Sequence, residues 1–286
     1  MIDLHMHSTG SDGQYAPAEL MKKAKAGGLT AVALTDHDSS SGLIEAGEIA
    51  AALGLEFFPG IEISCKYAGE MHMLGYGIRP MSEAIQKACA KFVELRELRA
   101  RKIIAYLASK GVGISLADVR RKAGGQILGR PHFAQVMLEQ GYVRTIREAF
   151  DRYLATPEFD KIERPKPAPE AGIKIIHDGG GVAVLAHPKS LKLAGDALER
   201  QVRTLVDAGL DGIETYYGAH TPEQIAEYHA LALKYHLLET AGSDFHGEKV
   251  KPEISLGRRQ GSADLLVSEE QEAEILLELR KHVPAK

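Results

Sequence analysis

Met1-Ile2-Asp3-Leu4-His5-Met6-His7-Ser8-Thr9-Gly10-Ser11-Asp12 opens the chain, and its reading decides the fold. Ile2, Leu4 and Met6 alternate with Asp3, His5 and His7, the period-two pattern of a short strand. Side chains two apart on a strand share a face, so His5 and His7 converge on one spot. The strand breaks at Ser8 to Gly13, and that loop is able to turn the Asp12 carboxylate back toward the two imidazoles. Two nitrogens and an oxygen begin a metal site. Alone, the stretch reads equally as a solvated edge strand, because short metal motifs match by chance.

Five further stretches decide between the two. Thr35-Asp36-His37-Asp38, Gly60-Ile61-Glu62, Glu70-Met71-His72, Ala186-His187-Pro188 and Ser243-Asp244-Phe245-His246 each set histidine or a carboxylate just after an apolar run. One such strand end arises by chance; six in one chain do not.

Strand and helix alternate around these stretches. Pro17 starts a helix that Gly27-Gly28 ends. Leu29 to Leu34 is a continuous apolar run, as in a buried parallel strand. Ser39-Ser40-Ser41 precedes a helix over Gly42 to Leu53. Leu55 to Ile63 reads as a third strand with Glu62 near its end, and Met71 to Ile78 as a fourth, opened by His72. The rhythm is that of a parallel sheet or barrel.

It stops at Pro80. A long helix is predicted over Ser82 to Lys110, with shorter ones over Ser115–Ala123, Pro131–Gln140 and Thr145–Leu154. The stiff segment Glu163-Arg164-Pro165-Lys166-Pro167-Ala168-Pro169 closes the region, so residues 81–166 read as a helical insert within a body of 1–80 and 167–286. The rhythm then resumes. Helices over Pro169–Asp178, Leu198–Ala208 and Pro222–Lys234 separate strands Val182–Ala186, Gly212–Tyr216 and Leu237–Ala241. Seven strands result, their polar ends gathered where α/β barrels carry active sites.

Composition agrees with an ordinary globular protein: 286 residues, 44% hydrophobic and 26% charged,. No leader and no apolar run near the ~20 residues of a membrane span is visible. Cys65 and Cys89 are the only cysteines, so a disulfide framework is not expected and a cytoplasmic setting fits. Cys65 is a thiol nucleophile by type, with a small buried apolar group as its ordinary role. The net charge of -4 is uneven: residues 81–166 hold 17 Lys plus Arg against 10 Asp plus Glu, and the rest 18 against 29. A basic segment beside an acidic, histidine-rich body suggests cations in the body and an anionic substrate held from the other side. Solvated basic helix faces would give the same count.

The candidate ligands are His5, His7, Asp12, His37, Glu62, His72, His187, Asp244 and His246. Nine groups exceed one ion and suit two or three, with a carboxylate bridging a pair. This set resembles the Polymerase and Histidinol Phosphatase (PHP) family, in His5-Met6-His7 with Ser11-Asp12-Gly13, Thr35-Asp36-His37-Asp38, Gly60-Ile61-Glu62, His72, Ala186-His187-Pro188 and Ser243-Asp244-Phe245-His246. The resemblance covers the chain apart from residues 81–166 and implies an α/β fold, the distorted (β/α)7 barrel, with the insert added. It implies that His5, His7, Glu62 and Asp244 hold one ion. Glu62 would bridge to a second, with His72 and His187, and Asp12, His37 and His246 would hold a third. Manganese is the metal implied; zinc or iron suits the same thiolate-free ligands.

Within the family the chain is most similar to the small bacterial group acting on 3',5'-nucleoside bisphosphates, in its insert after the fourth strand and in Gly129-Arg130-Pro131-His132. The activity implied is hydrolysis of a nucleoside 3',5'-bisphosphate to a nucleoside 5'-monophosphate and phosphate, by a hydroxide bridging two metals. The alternatives are histidinol-phosphate hydrolysis, 5'-to-3' exonuclease action on short RNA or DNA, and a metal-loaded binding module without turnover. A small phosphorylated nucleotide is the expected partner, with no membrane and no obligate protein partner. His246, Asp36 and His220 are candidates by type for the general acid. Arg130, whose fork suits bidentate recognition, leads the phosphate contacts; His132 and Arg258 follow. His177, His229, His236 and His282 lie on helical patterns without acidic company and read as surface residues. Tyr216 and Tyr217 read as base-packing or core groups alike.

Overall fold

In the computed structural model, residues 1–124 and 127–283 are described. Seven strands form one sheet in chain order: β1 (Ile2–Asp3), β2 (Ala31–Leu34), β3 (Glu56–Cys65), β4 (Met71–Tyr76), β5 (Val182–Leu185), β6 (Gly212–Tyr217) and β7 (Leu238–Gly242). The two edges meet. Leu4 N–H donates to the Ala241 carbonyl at 2.9 Å and Asp244 N–H to the His5 carbonyl at 2.8 Å, so the sheet closes into a barrel. Closure needs a glycine: a Cβ on Gly242 would stand 2.2 Å from His5 Cβ.

Helices α1 (Pro17–Ala26) and α2 (Leu43–Ala52) join the parallel neighbours β1, β2 and β3. The expectation of parallel strands throughout fails at β4, which runs antiparallel to both β3 and β5. Lys66 to Glu70 is too short for a crossover, which needs about a dozen residues, so the chain turns back as a hairpin. The reversal matters for the site. It brings the first turns of β4, with His72 opposite Ser64, to the rim where the other strands end.

Four helices follow: α3 (Glu83–Ser109), α4 (Leu116–Ala123), α5 (Arg130–Glu139) and α6 (Ile146–Ala149), the last running on as a wider π-helical turn through Leu154. Ser82 caps α3 and Ser115 caps α4, each accepting a hydrogen bond from the third residue on,. They enclose their own apolar cluster, including Ile103, Leu107, Phe133, Met137 and Phe159. Then α7 (Pro169–Asp178), α8 (Gly195–Asp207) and α9 (Pro222–Tyr235) alternate with β5 to β7. A tenth helix, α10 (Glu269–His282), was not anticipated, although Ser268 and Gln271 form its capping box,.

Apolar alternation sorts the barrel into two layers. Ala31 and Ala33 of β2 join Ile2, Leu4, Phe58 and Tyr76 in the lumen, which α10 closes with Ile275, Leu276 and Leu279. Tyr76 crosses that lumen to donate to the Leu4 carbonyl at 3.0 Å. Val32 and Leu34 face the other way and pack with Leu20, Met21 and Ala46 of α1 and α2. The opening stretch departs from strict alternation: Ile2 and Leu4 lie in the lumen cluster and Met6 in the helix-covered one. The regular ladder stops at Asp3 and resumes as a bridge from Met6 to Phe245, and this phase change turns His5 and His7 into the rim. Cys65 is buried, and burial pushes its thiol up to about 12, which removes it as a nucleophile at neutral pH,.

Candidate metal centre

Three backbone features aim the rim residues. Asp38, His187 and Asp244, at the ends of β2, β5 and β7, hold φ of 55°, 26° and 59°, a region L-residues occupy only where the surroundings impose it,. The turn after Met6 is tied by Ser11 N–H and Gly13 N–H donating to the Ser8 carbonyl at 3.0 and 2.9 Å, which swings Asp12 back over the rim. A bulge on β6 between Glu214 and Tyr216 shifts the side-chain phase, so Glu214 and Tyr217 both face the site,.

All nine predicted ligands meet there. His5 Nε2 and His7 Nε2 stand 3.4 and 3.3 Å from Glu62 Oε2, and 3.6 and 3.1 Å from Asp244 Oδ1. Glu62 Oε1 lies 2.8 Å from His72 Nδ1 and 3.0 Å from His187 Nε2. Asp12 Oδ1 lies 3.4 Å from His246 Nε2, and His7 and His37 complete a group of four with these two. Three other groups have ligand atoms within 4.8 Å of one another: His5, His7 and Asp244; His5, Glu62 and His187; His37, Glu62 and His72. His37 therefore belongs to the Glu62 side as well as the Asp12 side.

The donor set fits cations on one specific observation. His5 Nε2, His7 Nε2, Asp12 Oδ1, His37 Nδ1 and Glu62 Oε2 are buried without a hydrogen-bond partner among the described residues. Buried polar atoms are ordinarily satisfied, and these five belong to the overlapping ligand groups just described. Electrostatics argue the same way. Burial alone would raise the Glu62 carboxyl, yet His37, His72 and His5 hold it well below the usual carboxylate range. Burial lowers His7, and the neighbouring His246 and His37 lower it further, whereas Glu62 and Asp12 outweigh burial to bring His37 up to about 9. Imidazoles this close cannot all take protons, so divalent ions are the natural counter-charge.

The sequence reading passed over Glu214. It is fully buried; its Oε1 accepts from His5 Nδ1 at 2.9 Å and its Oε2 from the His187 N–H at 2.6 Å. The first bond fixes the His5 tautomer that leaves Nε2 free for a metal, and the second holds the strained His187 backbone. Glu214→Ala is expected to cost about 10–100-fold in metal affinity and in turnover. Metal content after dialysis at fixed free metal, with a rate measurement, checks this; wild-type values in both would refute the assignment.

A cavity of about 430 Å³ opens onto this cluster, its wall including His37, His72, His187, Tyr217, Asp244 and Lys251. Of the two tyrosines read as base-packing or core groups, Tyr216 joins the lumen core and Tyr217 the cavity wall, whereas Lys251 was not singled out, because nothing in its neighbourhood resembles a motif. Tyr217 Oη and Lys251 Nζ each donate to Asp244 Oδ2, at 3.2 and 2.7 Å. Burial and the Asp244 charge raise the Tyr217 hydroxyl far above its ordinary value, so it stays a donor.

None of the three proposed acids lines that cavity. Asp36 is buried under bonds from Ser8 N–H at 2.8 Å and Ser11 Oγ at 2.6 Å; burial raises it to about 6. Ser11 also touches His7 Nδ1 at 3.4 Å, so Asp36 braces His7 through Ser11. His220 bonds the Thr215 carbonyl through Nδ1 at 2.9 Å, and burial lowers it to about 3, leaving no proton on Nε2 at neutral pH. His246 bonds the Asp244 carbonyl through Nδ1 at 2.8 Å, which turns Nε2 toward Asp12, 3.4 Å away.

The phosphate contacts divide likewise. Arg130 stands in the first turn of α5, its guanidinium 5.8 Å from the Phe150 ring, and Gly129 beside it approaches Asp12. His132 Nδ1 accepts from Gly129 N–H at 3.1 Å and serves as a helix cap. Arg258 does not reach the cavity; it donates to the Ala263 carbonyl of its own loop, and Arg259 donates to the His220 carbonyl at 2.8 Å. His177 and His229 do have acidic company, Asp211 at 2.7 Å and Glu239 at 2.9 Å, because β6 and β7 bring partners that the helices lack.

The PHP domain matches residues 3–157. A 3',5'-nucleoside bisphosphate phosphatase of Chromobacterium violaceum is 33% identical over 86% of this chain and 87% of its own. A 5'-3' exoribonuclease of Salmonella typhimurium is 33% identical over 91% and 89%. Among solved structures, a Chromobacterium violaceum amidohydrolase with bound sulfate and no metal superposes with a TM-score of 0.80, at 33% identity over 87% of this chain and 89% of that one. A Bifidobacterium adolescentis protein assigned as a metal-dependent phosphoesterase superposes at 0.82, with 31% identity over 96% and 95%.

Proposed function

Because this chain belongs to the PHP domain family and is a metal-dependent phosphoesterase, we propose that it removes one phosphate from a nucleoside 3',5'-bisphosphate, leaving a nucleoside 5'-monophosphate. His5, His7, Glu62 and Asp244 would hold one divalent ion, Glu62 with His72 and His187 a second, and Asp12, His37 and His246 a third. Manganese is the metal favoured by the family resemblance, over zinc or iron. Residues 81–166 would be a basic helical insert beside the rim, where Gly129 approaches Asp12. The two free cysteines suit the reducing cytoplasm.

When bound, the ions supply a water of lowered pKa and neutralise the phosphoryl oxygens. The chain's own groups do the rest. Glu214 keeps His5 in the tautomer with Nε2 toward the centre, and Asp36 braces His7 through Ser11. Tyr217 and Lys251 hold the Asp244 carboxylate, whose Oδ1 faces the two opening histidines.

One observation carries the substrate reading: the cavity of about 430 Å³ suits a single small ligand. The exoribonuclease relative supports a second reading, in which the same centre trims a 5' end that enters along the basic insert. Profiling the metal-loaded chain against a nucleoside 3',5'-bisphosphate, histidinol phosphate and 5'-phosphorylated oligonucleotides tests both. The bisphosphate is expected to turn over fastest, and exhaustive chelation to abolish turnover. Faster hydrolysis of histidinol phosphate would end the nucleotide assignment.

A further inference from the structure

Asp12 and His246 reach the rim on two loops beyond the regular strands. The first, Ser8 to Ala16, is closed on itself by Thr9 N–H, which donates to the Tyr15 carbonyl at 2.8 Å. The second follows β7 and carries Asp244, His246 and Lys251. Gln14 spans the gap between them. Its N–H donates to the His246 carbonyl at 2.7 Å, and its Oε1 accepts from the Lys249 N–H at 2.8 Å. Gly247 lies between these two bonds with φ of 102°, and a Cβ there would stand 2.3 Å from Gln14 Cβ and 2.7 Å from Gln14 Oε1. The second loop thus wraps the Gln14 side chain in a left-handed conformation that glycine adopts at little cost. From there the chain turns straight into Lys251, because the Gly247 carbonyl accepts from the Val250 and Lys251 N–H groups at 3.0 and 2.9 Å. Lys251 then reaches back to Asp244.

We propose that Gln14 is a positioning residue for the metal centre: by clasping residues 246–249 it sets the separation of Asp12 from His246. This rests on the assignment of a third ion to Asp12, His37 and His246 made above. The third member of that set is fixed independently. Asp38, next to His37, receives Arg96 Nε at 2.9 Å and Arg164 Nη1 at 3.0 Å, and both arginines are buried. Asp12 Oδ1 and His246 Nε2, 3.4 Å apart, have no such anchor on a helix or strand, so the loop-to-loop clasp determines whether one ion meets both. Any residue at position 14 keeps the N–H that bonds His246; an acceptor of glutamine's length is what reaches the Lys249 N–H. Tyr15 Oη and Lys23 Nζ also meet this loop, each 2.7 Å from Glu248, but they do so at the exposed surface, where ion pairs contribute little,. Groups that orient metal ligands from outside are typically worth about 10–100-fold in metal affinity.

Metal uptake by the full chain tests this. Manganese is titrated into the metal-free protein in competition with a chelating indicator, with circular dichroism on the same samples. The wild type should take up three equivalents. Gln14→Met, which keeps the length and loses the acceptor, should weaken one equivalent at least about tenfold and leave the others unchanged. Gln14→Ala should do the same, which separates loss of the acceptor from added bulk. Gln14→Glu retains an oxygen at that place and should recover most of the affinity, whereas Lys23→Met should lose none. Turnover of the methionine variant should return as free manganese is raised. Three equivalents of wild-type affinity in a folded Gln14→Met protein would overturn the proposal, as would uniform weakening of all of them or an equal loss in Lys23→Met. A wild type that takes up two equivalents would instead refute the third-ion assignment itself.

Discussion

Replacing Glu62 by glutamine is expected to lower phosphoesterase turnover by at least about 10³-fold and to reduce bound metal. Glu62 is fully buried, and its two oxygens face His5, His7, His37, His72 and His187. Glutamine matches its shape but removes the negative charge and offers an N–H₂ where an oxygen faced a cation. On the proposed assignment two ions share Glu62, and losing such a ligand forfeits several kcal/mol of charge stabilisation, each ~1.4 kcal/mol being a factor of ten. Metal analysis, circular dichroism and steady-state rates on the same preparation separate this from unfolding. A folded Glu62→Gln protein with wild-type metal content and rate would refute the metal centre as built above.

The second large effect is on stability. Asp38→Ala should cost about 3–5 kcal/mol, because it leaves Arg96 and Arg164 buried without their counter-charge. Asp38 also accepts from the Ser64 N–H at 3.0 Å, so the substitution frees a backbone donor of β3 as well. The pH dependence has a definite sign. Burial would raise the Asp38 carboxyl, but the two guanidiniums hold it far below its ordinary value. A depressed carboxyl stabilises the fold above its unfolded pKa of about 3.9 and loses that contribution as pH falls toward the folded value. The gap in urea-unfolding free energy between wild type and variant should therefore be full near pH 7 and narrow below about pH 4. A gap that grows on acidification would show that Asp38 is not held by the arginines.

Much of this was legible along the chain because strand ends and helix caps are local events. The apolar runs before His37, Glu62, His187 and Asp244 marked strands, and Pro17, Pro169 and Pro222 marked helix starts at the residues where α1, α7 and α9 begin. The β3–β4 hairpin was misread as part of a parallel series, although the short Lys66–Glu70 link already argued against a crossover. Residues whose importance comes from a distant partner stayed silent. Glu214 meets His5 across the barrel seam, and Lys251 meets Asp244 from a loop without periodicity. Conversely, Arg258 and His220 looked suitable by type, and packing turned them toward backbone carbonyls.

The order of residues by itself determined that histidines and carboxylates end successive strands, because alternation and apolar runs are properties of consecutive positions. Only the tertiary structure decided which of them share an ion-sized space. That choice depends on the closure of β1 against β7, the reversal of β4 and the bulge in β6. It also decided that the insert's arginines stand beside Asp38, since electrostatic partners so far apart in sequence are chosen by packing.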